Sequence, residues 1–183
     1  MTEALLIIDV QNDYFAGGTM QLEKPEVALN QIERVLNRFR KTGKTIVFIQ
    51  HVAKIANATF FLENTFGAAI HSALTPKNHG NEFIVQKNFP NSFLQTRLQE
   101  VLKSNQIDSL VICGMMTHMC VDSTTRQAAE LSYRCTLLGD GCATKDLVIE
   151  DDTIQADQVQ TSFLAALQSF AKVRTTSDYL QEQ

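Results

Sequence analysis

Cysteine is the residue best suited to covalent chemistry in this chain, and it stands at positions 113, 120, 135 and 142. The thiolate is the nucleophile, so each position is judged by what could deprotonate it. Cys113 and Cys135 lie inside apolar runs, SLVIC and RCTLL, and read as small core residues. Cys142 lies in a loop and stays undecided. Cys120 ends the stretch GMMTHMC, residues 114–120, where an apolar strand stops at a glycine. Thr117 suits a helix N-cap, which would put Cys120 in the first turn, where the helix end favours a thiolate. The plainer alternative is a buried hydrophobe.

Two charged residues end apolar strands and could serve that thiol. Asp9 closes LLIID and could act as general base; it could equally cap a loop. Lys87 follows FIVQ and could hold its charge near the thiol, or simply snorkel off a strand end. His51, at another strand exit, is the candidate for a Cys–His pair and the alternative base. His118, two residues from Cys120, faces another side of the helix. Cys120 and Arg126 also spell the C-x5-R spacing of cysteine phosphatases. The five residues between them, VDSTT, contain no glycine, and Asp122 would repel phosphate. A disulfide is disfavoured in a reducing compartment. Zinc is disfavoured because C-x6-C spacing lacks close ligand pairs.

These residues need elements to position them. Short β-branched or apolar runs alternate with helical patterns. The strands are Leu5–Ile8, Thr45–Ile49, Phe83–Val85, Ser109–Cys113, Arg134–Leu138 and, at an edge, Val173–Thr175. Helices are predicted over 26–41, from a cap at Asn91 or Ser92 through Leu102, over 118–131 and over 153–171. Continuous apolar strands separated by helices mean a parallel sheet covered on both faces. Right-handed crossovers then give a doubly wound α/β sheet. Ligands bind such sheets beyond the carboxyl ends of the strands, and Asp9, His51, Lys87 and Cys120 all lie at those ends. Residues 53–82 carry little periodicity and read as a lid or binding loop, or as one hiding a short helix. Phe60 and Phe61 within it could wall a pocket with Tyr14 and Phe15.

Composition narrows the rest. The chain has 183 residues, 44% of them hydrophobic and 20% charged, with a net charge of −4. That fits one globular domain over 1–183, and it argues against nucleic acid as a partner. MTEALLIIDV has neither a basic n-region nor a long apolar core, so a cytoplasmic location without membrane contact is expected.

LLIIDVQNDYFAGG (5–18), VQKNFPNSFLQTRL (85–98) and LVICGMMTHMCVDSTTRQAAELSY (110–133) together resemble the isochorismatase-like cysteine hydrolases. The spacings K-x5-F-x2-T-x-L and G-x2-T-x2-C-V-x2-T carry the resemblance. It implies a Rossmann-like six-stranded sheet in the order 3-2-1-4-5-6. It also implies a catalytic triad of Asp9, Lys87 and Cys120, a cis peptide at Met115–Met116, and an oxyanion hole made by the backbone N–H groups of Met116 and Cys120. The implied chemistry is hydrolysis of an amide or ureido C–N bond of a small molecule through a thioester. Tyr14, Phe15, Phe60, Phe61, Met116 and Met119 are candidates for the substrate wall. The alternatives are enol-ether hydrolysis of the isochorismatase type and a non-catalytic binding member; a thiol redox role would want a resolving cysteine nearer than Cys113. The resemblance further implies a homo-oligomer, dimer or tetramer. Relatives of the nicotinamidase type carry a D-x-H metal element after strand two. This chain has IQHVAK there, so no metal and no cofactor are expected. Tyr14 stands where phenylalanine is usual, and Ser132 where glycine is usual.

Overall fold

A computed structural model of the chain describes residues 2–77 and 80–182. Its main sheet is built from β1 (Glu3–Ile8), β2 (Thr45–His51), β3 (Glu82–Lys87), β4 (Ser109–Met115), β5 (Arg134–Ala143) and an edge strand, Lys172–Arg174. All neighbours in it are parallel. A hairpin of β6 (Leu147–Ile149) and β7 (Asp152–Ile154) precedes that edge strand, which is therefore β8. The order is β3-β2-β1-β4-β5-β8, the expected order with the sixth sheet strand renumbered.

Alternation along the strands builds two cores. Leu5, Ile7, Ile46, Phe48 and Val111 face α1 (Pro25–Thr42) and α5 (Thr176–Gln181). Ala4, Leu6, Ile8, Val47 and Ile112 face α2 (Leu98–Ser104), α3 (Asp122–Glu130) and α4 (Ala156–Leu167). Each fully buried aliphatic side chain contributes about 1.5–3 kcal/mol, so neither face could be left open to water. Helix α1 buries Leu29, Ile32, Val35, Leu36 and Phe39 at helical spacing and stops at Gly43, which is left-handed at φ 65°.

Several boundaries differ from the sequence reading. Helix α2 starts at Leu98, not at Asn91 or Ser92. Ser92 is fully buried and bonds Thr124 instead, and Thr96 Oγ1 accepts the N–H of Leu98. The helix expected over 153–171 is shorter, because 152–154 pair in the hairpin. Strand β5 runs on past Leu138 through Ala143, with an irregularity opposite Ile112 and Gly114. Cys142 is consequently a buried strand residue, not a loop residue. Among the described residues of 53–81 the chain forms one short 3-10 turn, Ser72–Leu74, and a single bridge from Ile70 to Gln11. Asn78 and His79, inside that segment, lie outside the described residues. Among the described residues no helix is long and apolar enough to cross a membrane.

Candidate active site

Asp9, His51, Lys87 and the turn carrying Cys120 leave four adjacent strands at the same end of the sheet. Asp9 adopts a left-handed φ of 50°, which Asp tolerates better than most residues. Its N–H still reaches Ile49 O at 3.1 Å, and its carbonyl takes the N–H of Gln11 at 3.0 Å, so the chain folds back at once. Strand β4 passes close beside this bend. A Cβ at Gly114 would lie 2.1 Å from Ile8 O, and Gly114 has a φ of 128°, so only glycine lets the two strand ends meet.

After Gly114 the Met115–Met116 peptide is cis, as the resemblance implies. A short π-helical turn, Thr117–Val121, then leads into α3. Thr117 does not cap it. Its hydroxyl points away, bonding Gln160 Oε1 at 2.6 Å and Ala143 O at 3.2 Å. A side chain from α4 thus anchors the start of the turn, a partner 43 residues away that local sequence could not reveal. His118 bonds Thr144 Oγ1 at 2.6 Å and does not join the cluster. Arg126 pairs with Asp122 along α3 and lies over Phe170, which leaves it no role at Cys120.

The charged heart of the site is almost dry. Asp9 is 0% exposed, Lys87 1% and Cys120 5%. Lys87 Nζ lies 2.7 Å from Asp9 Oδ2, a fully buried ion pair. Lys87 donates to Phe89 O and Pro90 O at 3.1 Å each, and its Nζ is 3.3 Å from His51 Nδ1. Burial alone would lower the Lys87 pKa, but the Asp9 carboxylate and the Cys120 sulfur outweigh it, and the net shift is upward. The ammonium stays charged.

Cys120 moves the opposite way from the expected thiolate. Burial first, then the Asp9 carboxylate, push its pKa far up, and Lys87 only partly offsets them. The direction favours the thiol over the thiolate. Burial also pushes up Cys135, to about 11, and Cys142, to about 12.

Donor atoms of Asp9, His51 and Cys120 all lie within 4.8 Å of one another, a spacing a metal ion could contract upon. The Lys87 ammonium, however, sits against both the Asp9 oxygen and the His51 nitrogen. A divalent ion would have to displace that buried charge, so the donor set does not suit one.

The aromatic candidates divide. Tyr14 is 1% exposed and packs edge-on against Phe61 at 4.7 Å, with Phe60 at 6.3 Å. Burial, and then the nearby Cys120 and Asp9, raise its pKa well above the ordinary tyrosine value. Phe61 also lies 5.7 Å from the His51 ring. Phe15 instead packs on His71 at 4.3 Å. Met116 is buried, whereas Met119, next to Cys120, is 42% exposed.

Sequence reading passed over the residues that hold the loop to this site. Gln11 clamps His51 by both backbone groups, accepting its N–H at 2.7 Å and donating to its carbonyl at 2.8 Å. Asn12 donates to Phe66 O at 2.8 Å. Asp13 Oδ2 takes the N–H of Phe61 at 2.7 Å, and its Oδ1 takes both donors of Thr19. The available signal was a run of three polar residues, 11–13, beginning two residues beyond a buried strand.

A family model, the isochorismatase domain, matches residues 3–178. The isochorismatase family protein YddQ of Bacillus subtilis is 43% identical over 182 residues, which span 99% of this chain and 100% of that one. A crystal structure of an isochorismatase hydrolase from Oleispira antarctica superimposes with a TM-score of 0.93 at 39% identity, covering 98% of this chain and 96% of the other. A streptothricin hydrolase of Streptomyces noursei is 31% identical over 150 residues, 82% of this chain and 52% of its own.

Proposed function

The chain belongs to the isochorismatase family of hydrolases, and from that premise we propose that it cleaves an amide or ureido C–N bond of a small molecule through a thioester on Cys120. The observation that carries the proposal is the convergence of a buried thiol and a buried carboxylate, their donor atoms within 4.8 Å, with Lys87 ion-paired to the carboxylate at 2.7 Å. Such a thiol is inert until a base takes its proton, and Asp9 is the adjacent base.

In the proposed sequence Asp9 accepts the Cys120 proton as Sγ attacks the carbonyl carbon. The backbone N–H groups of Met116 and Cys120 hold the developing oxyanion, a role in which losing one donor costs about 3–4 kcal/mol. Asp9 then gives the proton to the departing amine, which leaves the acyl group on sulfur. A water that Asp9 deprotonates hydrolyses the thioester and regenerates the thiol. Lys87 keeps one positive charge beside these anions throughout. Tyr14, Phe60 and Phe61, with Met116 and Met119, supply an apolar wall that suits a small and largely uncharged substrate. Relatives named nicotinamidase, from Escherichia coli and Arabidopsis thaliana, support a C–N substrate over an enol ether.

The test is a screen of small amides, ureido compounds and isochorismate, with Cys120→Ala as control. Turnover of an amide or ureide that disappears in Cys120→Ala is expected. Turnover of isochorismate alone, or full activity in Cys120→Ala, contradicts the proposal.

A further inference from the structure

We propose that the hydroxyl of Tyr14 anchors the substrate, donating a hydrogen bond to an uncharged oxygen other than that of the carbonyl under attack. The inference rests on reading this cluster as the site of an amide or ureide hydrolase. It narrows the substrate to neutral compounds with a second oxygen acceptor, such as a diamide or an acyl urea.

The argument starts from a buried donor without a partner. Tyr14 is 1% exposed. Its backbone is engaged on both sides, the N–H with Gln11 O and the carbonyl with the N–H of Leu22. Its hydroxyl bonds no group among the described residues. Tyr179, similarly buried, does bond, donating to Glu3 Oε2 at 2.7 Å. A buried tyrosine hydroxyl usually finds a partner, because leaving it unpaired costs stability. Phenylalanine would fill the same ring space without that penalty, so packing does not call for the oxygen.

The ring stands in the wall of the site. It lies 4.7 Å from Phe61, whose own ring is 5.7 Å from His51, and His51 reaches Lys87 at 3.3 Å and Asp9 at 4.0 Å. Besides burial, the groups that act on the phenol are Cys120, Asp9 and Asp13, in that order, and all of them hold it protonated and able to donate. They also set the class of acceptor. A substrate carboxylate here would face two aspartates in a dry site, where like charges repel strongly, and the Lys87 ammonium is already paired with Asp9. A carbonyl, ether or hydroxyl oxygen meets no such repulsion. The scissile carbonyl is held by backbone N–H groups in the proposed sequence, so the oxygen at Tyr14 is a second one. A site built to bond a substrate oxygen rejects the analogue that lacks it, because the donor is then left unpaired.

The experiment uses the full chain and reads protection of Cys120 from iodoacetamide, in short exposures, by peptide mass spectrometry. The probes are malonamide, isovaleramide and malonamate. Isovaleramide replaces one amide of malonamide with an apolar group of the same shape, and malonamate replaces it with a carboxylate. Malonamide should half-protect at about one-tenth the concentration of either, equivalent to about 1.4 kcal/mol. An apolar wall alone would favour isovaleramide. In Tyr14→Phe the advantage of malonamide over isovaleramide should shrink to within about twofold, and the urea midpoint should stay level or rise. A merely structural tyrosine would lower the midpoint and leave the preference intact. Isovaleramide or malonamate protecting as well as malonamide, a preference that survives Tyr14→Phe, or a lowered midpoint overturns the inference. Failure of the hydrolase reading shows up separately, as hydrolysis that survives Cys120→Ala, while the order of protection, for which Cys120 is only the reporter, still reads the hydroxyl.

Discussion

Asp13 is where the loop around Phe61 can be uncoupled from the strand ends beneath it by one atom. Asp13→Asn keeps Oδ1 for the two donors of Thr19 but turns an NH2 toward the buried N–H of Phe61, now 2.7 Å from Oδ2. Losing a hydrogen bond to a charged group costs about 1.5–3 kcal/mol. Part of that returns, because Phe61 is a bulky residue held at a φ of 54°, a conformation that stores about 1–3 kcal/mol. The alternative rotamer is no escape, since a reversed amide would face Thr19 with its donors, and the carboxyl group already fills the space a Cβ on Gly67 would need. The net global loss should therefore be modest, about 1–2 kcal/mol by urea titration, while the loop around Phe61 is released. Amide exchange at Phe61 and its neighbours should quicken about tenfold or more, while β1 and β4 track only the global change. Because Phe61 packs on Tyr14 and near His51, KM for any substrate found should rise more than kcat falls. Unchanged exchange at Phe61 with an unchanged urea midpoint would refute the latch. A loss above about 4 kcal/mol spread evenly over the fold would show Asp13 to be a global core residue instead.

Three further outcomes follow from the same geometry. Cys120→Ala should abolish turnover, Asp9→Asn should come close, and the double variant should cost almost nothing more, because the two act as one unit; additive losses in the double-variant cycle would contradict shared chemistry. Dialysis against a chelator should leave turnover unchanged, since Lys87 already fills the space between Asp9 and His51; loss restored by zinc or iron would reverse that argument. The four buried thiols all have pKa values raised by burial, so the unfolded chain releases protons above about pH 9 that the folded chain keeps. Stability is then intact below pH 9 and falls above it by about 1.4 kcal/mol per thiol per pH unit; urea titrations at pH 7.5 and 10 under reductant should show the fall, and Cys142→Ala should shrink it by about one thiol's share.

What the sequence disclosed and what it hid divide along one physical line. β1, β2 and β4 were legible because each is buried on both faces along its length and must be apolar there, as LLII and SLVIC are. Asp9 and Lys87 stood out because a charge at the end of such a run has to be satisfied by something nearby. The hairpin β6–β7 was hidden for the opposite reason. Val148, Ile149 and Ile154 are largely exposed, and the strands are three residues long, so neither burial nor periodicity marks them. Thr117 misled because a hydroxyl before a helix has a local option, and Gln160 offered a better distant one.

The polar run Gln11-Asn12-Asp13 shows how far this goes. Locally it reads as a loop, since these residues favour turns. In the fold it does the work of a strand edge: Gln11 pairs with both backbone groups of His51, and Asn12 and Asp13 take up 61–69 through side-chain and backbone bonds. Its partners are mostly main-chain groups, whose positions no residue type reveals. A sequence can therefore announce which side chains are equipped for chemistry and still conceal which ones set the geometry, because chemistry depends on residue identity and clamping depends on backbone position. The residues to mutate first in a relative with the same Asp, Lys and Cys but another substrate are accordingly the clamps on the loop, not the charges beneath it.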